Sequence, residues 1–168
     1  MSAPDPKSLP PADTAIVAFD VDGVFTDGRF YLSDDGVETK AFHTQDGFGI
    51  RRLLDAGIAV AIISGRRSGA VEKRMAELGV EHVFLGCKDK PAALDGLVEQ
   101  LGASLEQCVF VGDDVPDLPL LKRVGFPIAV ANAVREVREH CHYPTRAAGG
   151  HGAVREVCEL VLAATAGR

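Results

Sequence analysis

Short apolar runs punctuate this chain, and three of them end in polar clusters. Residues 15–19 run into Asp20, residues 58–63 into Ser64-Gly65, and residues 108–111 into Gly112-Asp113-Asp114; residues 83–85 and 127–130 complete the set. Runs this short with no polar alternation fit strands covered on both faces, as in a parallel sheet. Helical spacings lie between them. Val71, Met75 and Leu78 stand at i, i+4 and i+7 and are followed by Gly79, and Leu94, Leu97, Val98 and Leu101 are followed by Gly102. A glycine just past the last apolar position is a helix stop, because it takes the left-handed turn that satisfies the final carbonyls. Val154, Val157, Cys158 and Val161 mark a last helix, with Arg155, Glu156 and Glu159 on its other face. The alternation predicts an α/β, doubly wound (Rossmann-like) parallel sheet.

One stretch breaks the pattern. In residues 29–43, Phe30 and Leu32 alternate with polar residues and Asp35-Gly36 offers a tight turn, so a β-hairpin is expected after the first strand. An isolated hairpin is marginal in water, so this one requires a surface in its own domain or on another subunit. It fills the space between Asp22 and Ser64, leaving too little chain for a folded cap domain. Residues 1–13 carry four prolines and read as a flexible tail ahead of one domain over 14–168. The apolar runs are far shorter than a membrane span. With 18 basic against 24 acidic residues, the chain lacks the footprint of a nucleic-acid binder. A few placed cations can still hold an anionic small molecule. Cys87, Cys108, Cys141 and Cys158 form no C-x-x-C pair and read as reduced thiols, the state expected in the cytoplasm.

Ligands of doubly wound sheets sit beyond the carboxyl ends of the strands, where the polar clusters stand. Asp20 and Asp22 are two residues apart, which on extended backbone places both side chains on one side. Crowded carboxylates with Asp113 nearby repel unless a cation joins them, and an all-oxygen set suits Mg²⁺. Asp20 then has the chemistry of a nucleophile toward phosphorus, forming an aspartyl-phosphate. Asp22 can protonate the leaving oxygen and later deprotonate water. Ser64 and Lys90 would bind the phosphoryl oxygens, with Asp117 orienting Lys90. Each piece alone has a bland alternative: Asp-x-Asp-Gly as a turn, Ser-Gly as a strand stop or helix cap, Gly-Asp-Asp as a cap, Lys90 as a solvated cation. Their order, each at a strand or helix end, is what specifies one site.

The set resembles the haloacid dehalogenase-like phosphohydrolase superfamily over nearly the whole chain after the tail. Within it, residues 20–28 (DVDGVFTDG), 42–47 (FHTQDG), 64–66 (SGR), 112–114 (GDD) and 148–156 (AGGHGAVRE) look like the family of phosphatases acting on 3-deoxy-D-manno-octulosonate 8-phosphate. That family is capless and tetrameric and serves lipopolysaccharide biosynthesis. The resemblance implies Asp20 as nucleophile and Asp22 as acid/base, with Asp20, Asp22 and Asp113 around Mg²⁺. It implies substrate contacts from Asp22, His43, Thr44, Gln45, Asp46, Gly47, Arg51, Gly65, Arg66, Arg74 and Lys90. Arginine and lysine suit a ligand with phosphate and carboxylate, although Arg51 and Arg74 read equally as surface helix cations. The tetramer would bring a neighbouring subunit, docked through the hairpin, to the uncapped site.

Two departures stand out. Gln45 occupies a position where the family often has Arg, which keeps a nine-carbon sugar acid 9-phosphate open as the substrate. The chain stops at Arg168, so the family's longer closing tail is expected to be short or missing. A catalytically silent assembly module and a phosphotransferase are further alternatives. Intact Asp20, Asp22, Ser64, Lys90 and Asp113 disfavour the first, and open water access disfavours the second. Gly149-Gly150-His151-Gly152 reads equally as an anion cradle and as a helix-entry loop.

Overall fold

The computed structural model describes residues 9–166. Six parallel strands form the sheet, in the order β5-β4-β1-β6-β7-β8: β1 is Ile16–Phe19, β4 Ala59–Ile63, β5 His82–Phe84, β6 Cys108–Gly112, β7 Phe126–Ala129 and β8 Tyr143–Pro144. The helices are α1 (Thr44–Asp55), α2 (Gly69–Leu78), α3 (Lys90–Leu101), α4 (Leu118–Leu121), α5 (Arg135–His140) and α6 (Ala153–Thr165). The expected doubly wound α/β architecture is present. Gly79 and Gly102 cap α2 and α3 in the left-handed conformation, as their positions predict.

β1 is central and entirely buried. Phe19 is in register with Ile62 of β4 and Val111 of β6. The three strands therefore end almost level, and Asp20, Ser64 and Asp113 leave the sheet at one rim. Phe19 meets Phe25 edge-on at 5.4 Å between ring centroids, so the loop after β1 is anchored in the core beneath that rim.

Several elements were not legible. β8 has two residues, one of them proline, and pairs only with β7; so short a strand carries no periodicity. In α1, Gly47 and Gly49 interrupt the apolar spacing. Gly49 lets α6 pack closely: a β-carbon there would lie 3.1 Å from the Cys158 and Arg155 side chains of α6. The hairpin exists but is small, β2 (Tyr31–Leu32) pairing antiparallel with β3 (Glu38–Thr39).

Of the expected tail, residues 1–8 lie outside the described residues. Its last part is not loose. Pro10 is buried, and Gln107 Nε2 donates to Asp13 at the carbonyl (3.3 Å) and the carboxylate (3.2 Å). The four cysteines are free thiols. Among the described residues no helix is long and apolar enough to cross a membrane.

Candidate active site

A cleft at the carboxyl ends of β1, β4 and β6 has a volume of about 330 Å³. Asp20, Asp22, Ser64, Gly65, Arg66, Lys90 and Asp113 line it, together with Gly28, Asp114, Pro116 and Asp117. Asp20 sits immediately after β1, its N–H donating to the Val111 carbonyl at 3.0 Å. Lys90 opens α3. Its ammonium donates to Asp20 Oδ1 at 2.9 Å and to Asp117 Oδ1 at 2.7 Å. Burial opposes the lysine charge, but Asp20 and Asp117 outweigh it and hold its pKa above the usual value. The other oxygen of Asp117 accepts the N–H groups of Asp113 (3.0 Å) and Asp114 (3.4 Å). Asp117 thus orients Lys90, as its spacing predicts, and also ties down the Asp113 loop.

Oxygens of Asp20, Asp113 and Asp117 lie within 4.8 Å of one another. Burial, then repulsion from Asp117, raises the Asp20 pKa to about 6 despite Lys90. Burial, then Asp20, Asp117 and Asp114, raises that of Asp113 to about 8. Such a cluster carries more negative charge than its surroundings neutralise. Its all-oxygen donor set fits a hard divalent cation such as Mg²⁺. Asp117 already accepts three protein hydrogen bonds, so Asp20 and Asp113 are the carboxylates open to the ion.

The expected ligand set needs correction at Asp22. Its carboxylate does not join the other two. It pairs with the Lys40 ammonium and lies 3.9 Å from Arg66 Nε. The same-side argument assumes extended backbone, but the chain turns after Val21, whose carbonyl accepts the N–H groups of Val24, Phe25 and Thr26. Gly23 allows this turn with φ +84°.

The hairpin reaches the cleft through charge. Glu38 accepts from Arg66 (2.6 Å) and Ser68 (2.8 Å). The Ser68 hydrogen bond, then Lys40 and Arg66, holds the Glu38 carboxyl below the usual range despite partial burial. Arg66 also stacks over Phe30 at 4.1 Å. Glu38 and Lys40 are site residues that sequence reasoning missed. The available signal was their i, i+2 spacing, which puts both on one face of the returning strand.

Other expected contacts are not at this cleft within one subunit. Arg51 donates to the Leu78 carbonyl at 3.1 Å and borders a cavity at the start of β4 and β5, with Ala59 and His82. That is the opposite rim of the sheet, so Arg51 is corrected to a cap on α2. Asp46 is buried, and one oxygen accepts the Arg155 N–H at 2.9 Å. Burial pushes its carboxyl up, partly offset by that N–H; this oxygen braces α6, while the other is buried with no hydrogen-bond partner among the described residues. His43 caps α1, its ring accepting the Gln45 N–H at 3.3 Å. Gly47 packs against Arg74, which pairs with Glu77 at 3.2 Å. His43, Thr44, Gln45, Gly47 and Arg74 do not line the cleft. The 149–152 glycines are no anion cradle: the Gly149 N–H is taken by Asn132, that of Gly150 by the Val24 carbonyl and that of His151 by the Ala148 carbonyl.

A buried aspartate ending the central strand, a lysine bridging it to a second aspartate and a third carboxylate on the adjacent strand define a haloacid dehalogenase-like hydrolase. The model of the haloacid dehalogenase-like hydrolase family matches residues 86–157. The 3-deoxy-D-manno-octulosonate 8-phosphate phosphatase of Escherichia coli is 46% identical over 149 residues, covering 89% of this chain and 79% of that protein. Among solved structures, the Yersinia pestis phosphatase of the same name is 44% identical with TM-score 0.90, covering 92% of this chain and 84% of that one. The Moraxella catarrhalis phosphatase, solved with a magnesium ion, a phosphate ion and 3-deoxy-D-manno-octulosonate (KDO), is 45% identical with TM-score 0.90, covering 92% and 89%. The chain belongs to the family of 3-deoxy-D-manno-octulosonate 8-phosphate phosphatases.

Proposed function

We propose that this chain hydrolyses 3-deoxy-D-manno-octulosonate 8-phosphate, with Mg²⁺, to the free sugar acid and phosphate, a step of lipopolysaccharide biosynthesis. The observation that carries the reading is the clustering of Asp20, Lys90 and Asp113 at the level ends of β1 and β6. The relatives supply the substrate class.

Asp20 and Asp113 would hold Mg²⁺, which when bound supplies positive charge against the carboxylates and the phosphoryl group. Ser64 and Lys90 bind phosphoryl oxygens and orient phosphorus toward Asp20. An Asp20 carboxylate oxygen attacks phosphorus. The ester P–O bond breaks, and the leaving sugar oxygen takes a proton from Asp22. Asp22, now a carboxylate, takes a proton from a water that attacks the aspartyl-phosphate. The bond from phosphorus to Asp20 breaks, releasing phosphate. Arg66 meets the anionic sugar acid at the cleft mouth.

The hairpin supports a homotetramer with sites near subunit interfaces: Tyr31 and Leu32 are 67% and 65% exposed, and exposed apolar groups of this size are covered in assemblies. A neighbouring copy would then supply what one open cleft lacks, and contacts from His43, Thr44, Gln45, Gly47 or Arg74 would be made across that interface. Its free thiols support a location in the reducing cytoplasm.

Phosphate release from a panel of sugar-acid and common sugar phosphates, with Mg²⁺ and with chelator, tests the assignment. The octulosonate 8-phosphate is expected to be preferred, with activity lost in chelator. Equal rates across the panel defeat the substrate assignment, and a preference for the nine-carbon ester reassigns it. Activity surviving Asp20→Asn defeats the covalent mechanism. A fully active monomer in sedimentation defeats the tetramer.

A further inference from the structure

The AGGHGAVRE segment carries no substrate contact in the mechanism above, yet its first glycines press on the loop that follows Asp22. Gly149 is buried, and a β-carbon there would lie 1.9 Å from the Gly23 carbonyl oxygen and 2.7 Å from that of Thr26. At Gly150, with φ +74°, it would lie 2.6 Å from the Asp27 nitrogen. Only glycine lets the two backbones approach this closely. Hydrogen bonds fix the contact. Asn132 Nδ2 donates to the Gly23 carbonyl at 3.0 Å, while its Oδ1 accepts the Gly149 N–H at 2.6 Å. The Gly150 N–H reaches the Val24 carbonyl at 3.2 Å.

This brace sits one peptide from the proposed acid/base. The Gly23 N–H is held by Thr26 Oγ1 at 3.2 Å and its carbonyl by Asn132, so the residue after Asp22 is held at both of its backbone polar groups. The loop that carries Asn132 also reaches the metal-facing loop, because the Val134 N–H donates to the Asp113 carbonyl at 2.9 Å. Glu156 keeps the brace in place, accepting the N–H groups of Arg146 (2.9 and 3.0 Å) and Ala147 (3.0 Å).

We propose that Asn132 and Gly149 are positioning residues that hold the Asp22 carboxyl group where, in its protonated form, it can protonate the leaving sugar oxygen. The inference rests on the proposed role of Asp22. Neither residue touches substrate; both act through the Gly23 carbonyl. Displacement of a proton donor by about 1 Å costs up to ~100-fold in rate, and general acid catalysis is worth ~100-fold or more only when the leaving group needs the proton. A nitrophenolate leaves without one; a sugar alkoxide does not.

The test follows single-turnover release of the leaving group, which precedes the water step in which Asp22 acts as base, for the sugar-acid phosphate and for p-nitrophenyl phosphate in Asn132→Ala, Gly149→Ala and Asp22→Asn, with KM measured alongside and circular dichroism as the folding control. Expected for Asn132→Ala is a ~10-fold loss, and for Gly149→Ala a ~100-fold loss, of that rate on the sugar ester. KM should stay within about 2-fold, and the nitrophenyl ester should lose at most ~3-fold in that step. Equal losses on both esters in that step, a loss confined to KM, or an unchanged rate overturns the proposal. If Gly149→Ala does not fold, Asn132→Ala decides alone. Asp22→Asn separates the two levels. If it loses both esters alike, the acid role of Asp22 fails and the inference falls with it. If Asp22→Asn is selective and the positioning variants are not, only the positioning role fails.

Discussion

Lys90→Met tests whether the site is held by a compensated charge cluster. The Lys90 side chain is 8% exposed, Asp20 12% and Asp117 2%, with contacts of 2.9 and 2.7 Å. Removing one member of a buried ion pair costs ~3–5 kcal/mol, because the partner is left charged and desolvated. Two carboxylates lose their cation here, but Asp20, already raised to about 6, escapes part of the penalty by taking a proton. We therefore expect about 3 kcal/mol at pH 7.5 in chelator. For a domain of this size that is a fall in Tm of roughly 6–12 °C. The penalty shrinks below about pH 6, where a protonated Asp20 no longer needs the lysine. Urea unfolding at pH 7.5 and 5.5 reads both numbers. Adding Asp117→Asn to Lys90→Met should recover ~1–2 kcal/mol, a coupling expected of neighbours sharing one network. A loss below ~1 kcal/mol, a pH-independent loss, or strict additivity would refute the reasoning.

Mg²⁺ should stabilise more at high pH than at low. Asp113 and Asp20 have pKa values raised to about 8 and about 6, so without metal their contribution to stability is fully present below the unfolded carboxyl pKa and is lost as pH rises toward 8. Thermal shifts with and without Mg²⁺ at pH 6 and 8.5 should show the larger increment at 8.5; equal increments would contradict the cluster. Gly23→Ala places a β-carbon 2.0 Å from Asp113 Oδ2 at φ +84°, so Mg²⁺ affinity in calorimetry should fall at least ~10-fold through lost carboxylate geometry. Glu156→Ala strands the N–H groups of Arg146 and Ala147. It should cost about 2 kcal/mol in urea unfolding.

The reacting residues were legible because each stands at the end of an element whose periodicity is plain. Asp20 closes β1, Ser64 closes β4, Asp113 follows β6 and Lys90 opens α3. Position on a parallel rim then follows from topology alone. Asp22 lines the cleft as expected, but a local turn, set by hydrogen bonds to the Val21 carbonyl, overrides the two-residue alternation and pairs its carboxylate with Lys40 rather than with Asp20 and Asp113. Arg51 was misread because residue type and resemblance do not say which rim a helix face reaches. Glu38 opens a strand of only two residues and Lys40 follows its end, a stretch too short for a strand pattern. The role of Gly149 depends on a contact across the fold to Gly23, and no local signal in the sequence carries it.

The hairpin and the sheet are held by different forces. β1 is locked between two parallel neighbours with its side chains out of water. The hairpin has a ladder of two residue pairs, and it is tied to the cleft through Lys40–Asp22 and Arg66–Glu38. The Lys40–Asp22 pair is largely buried and resists screening, but the Arg66–Glu38 pair, with Arg66 46% exposed, weakens as salt screens it over a Debye length of about 8 Å at physiological ionic strength, whereas apolar burial does not. Rising salt should therefore loosen the cleft mouth while leaving the nucleophile's strand untouched, and substrate affinities measured at different ionic strengths describe differently shaped entrances to one unchanged reaction centre.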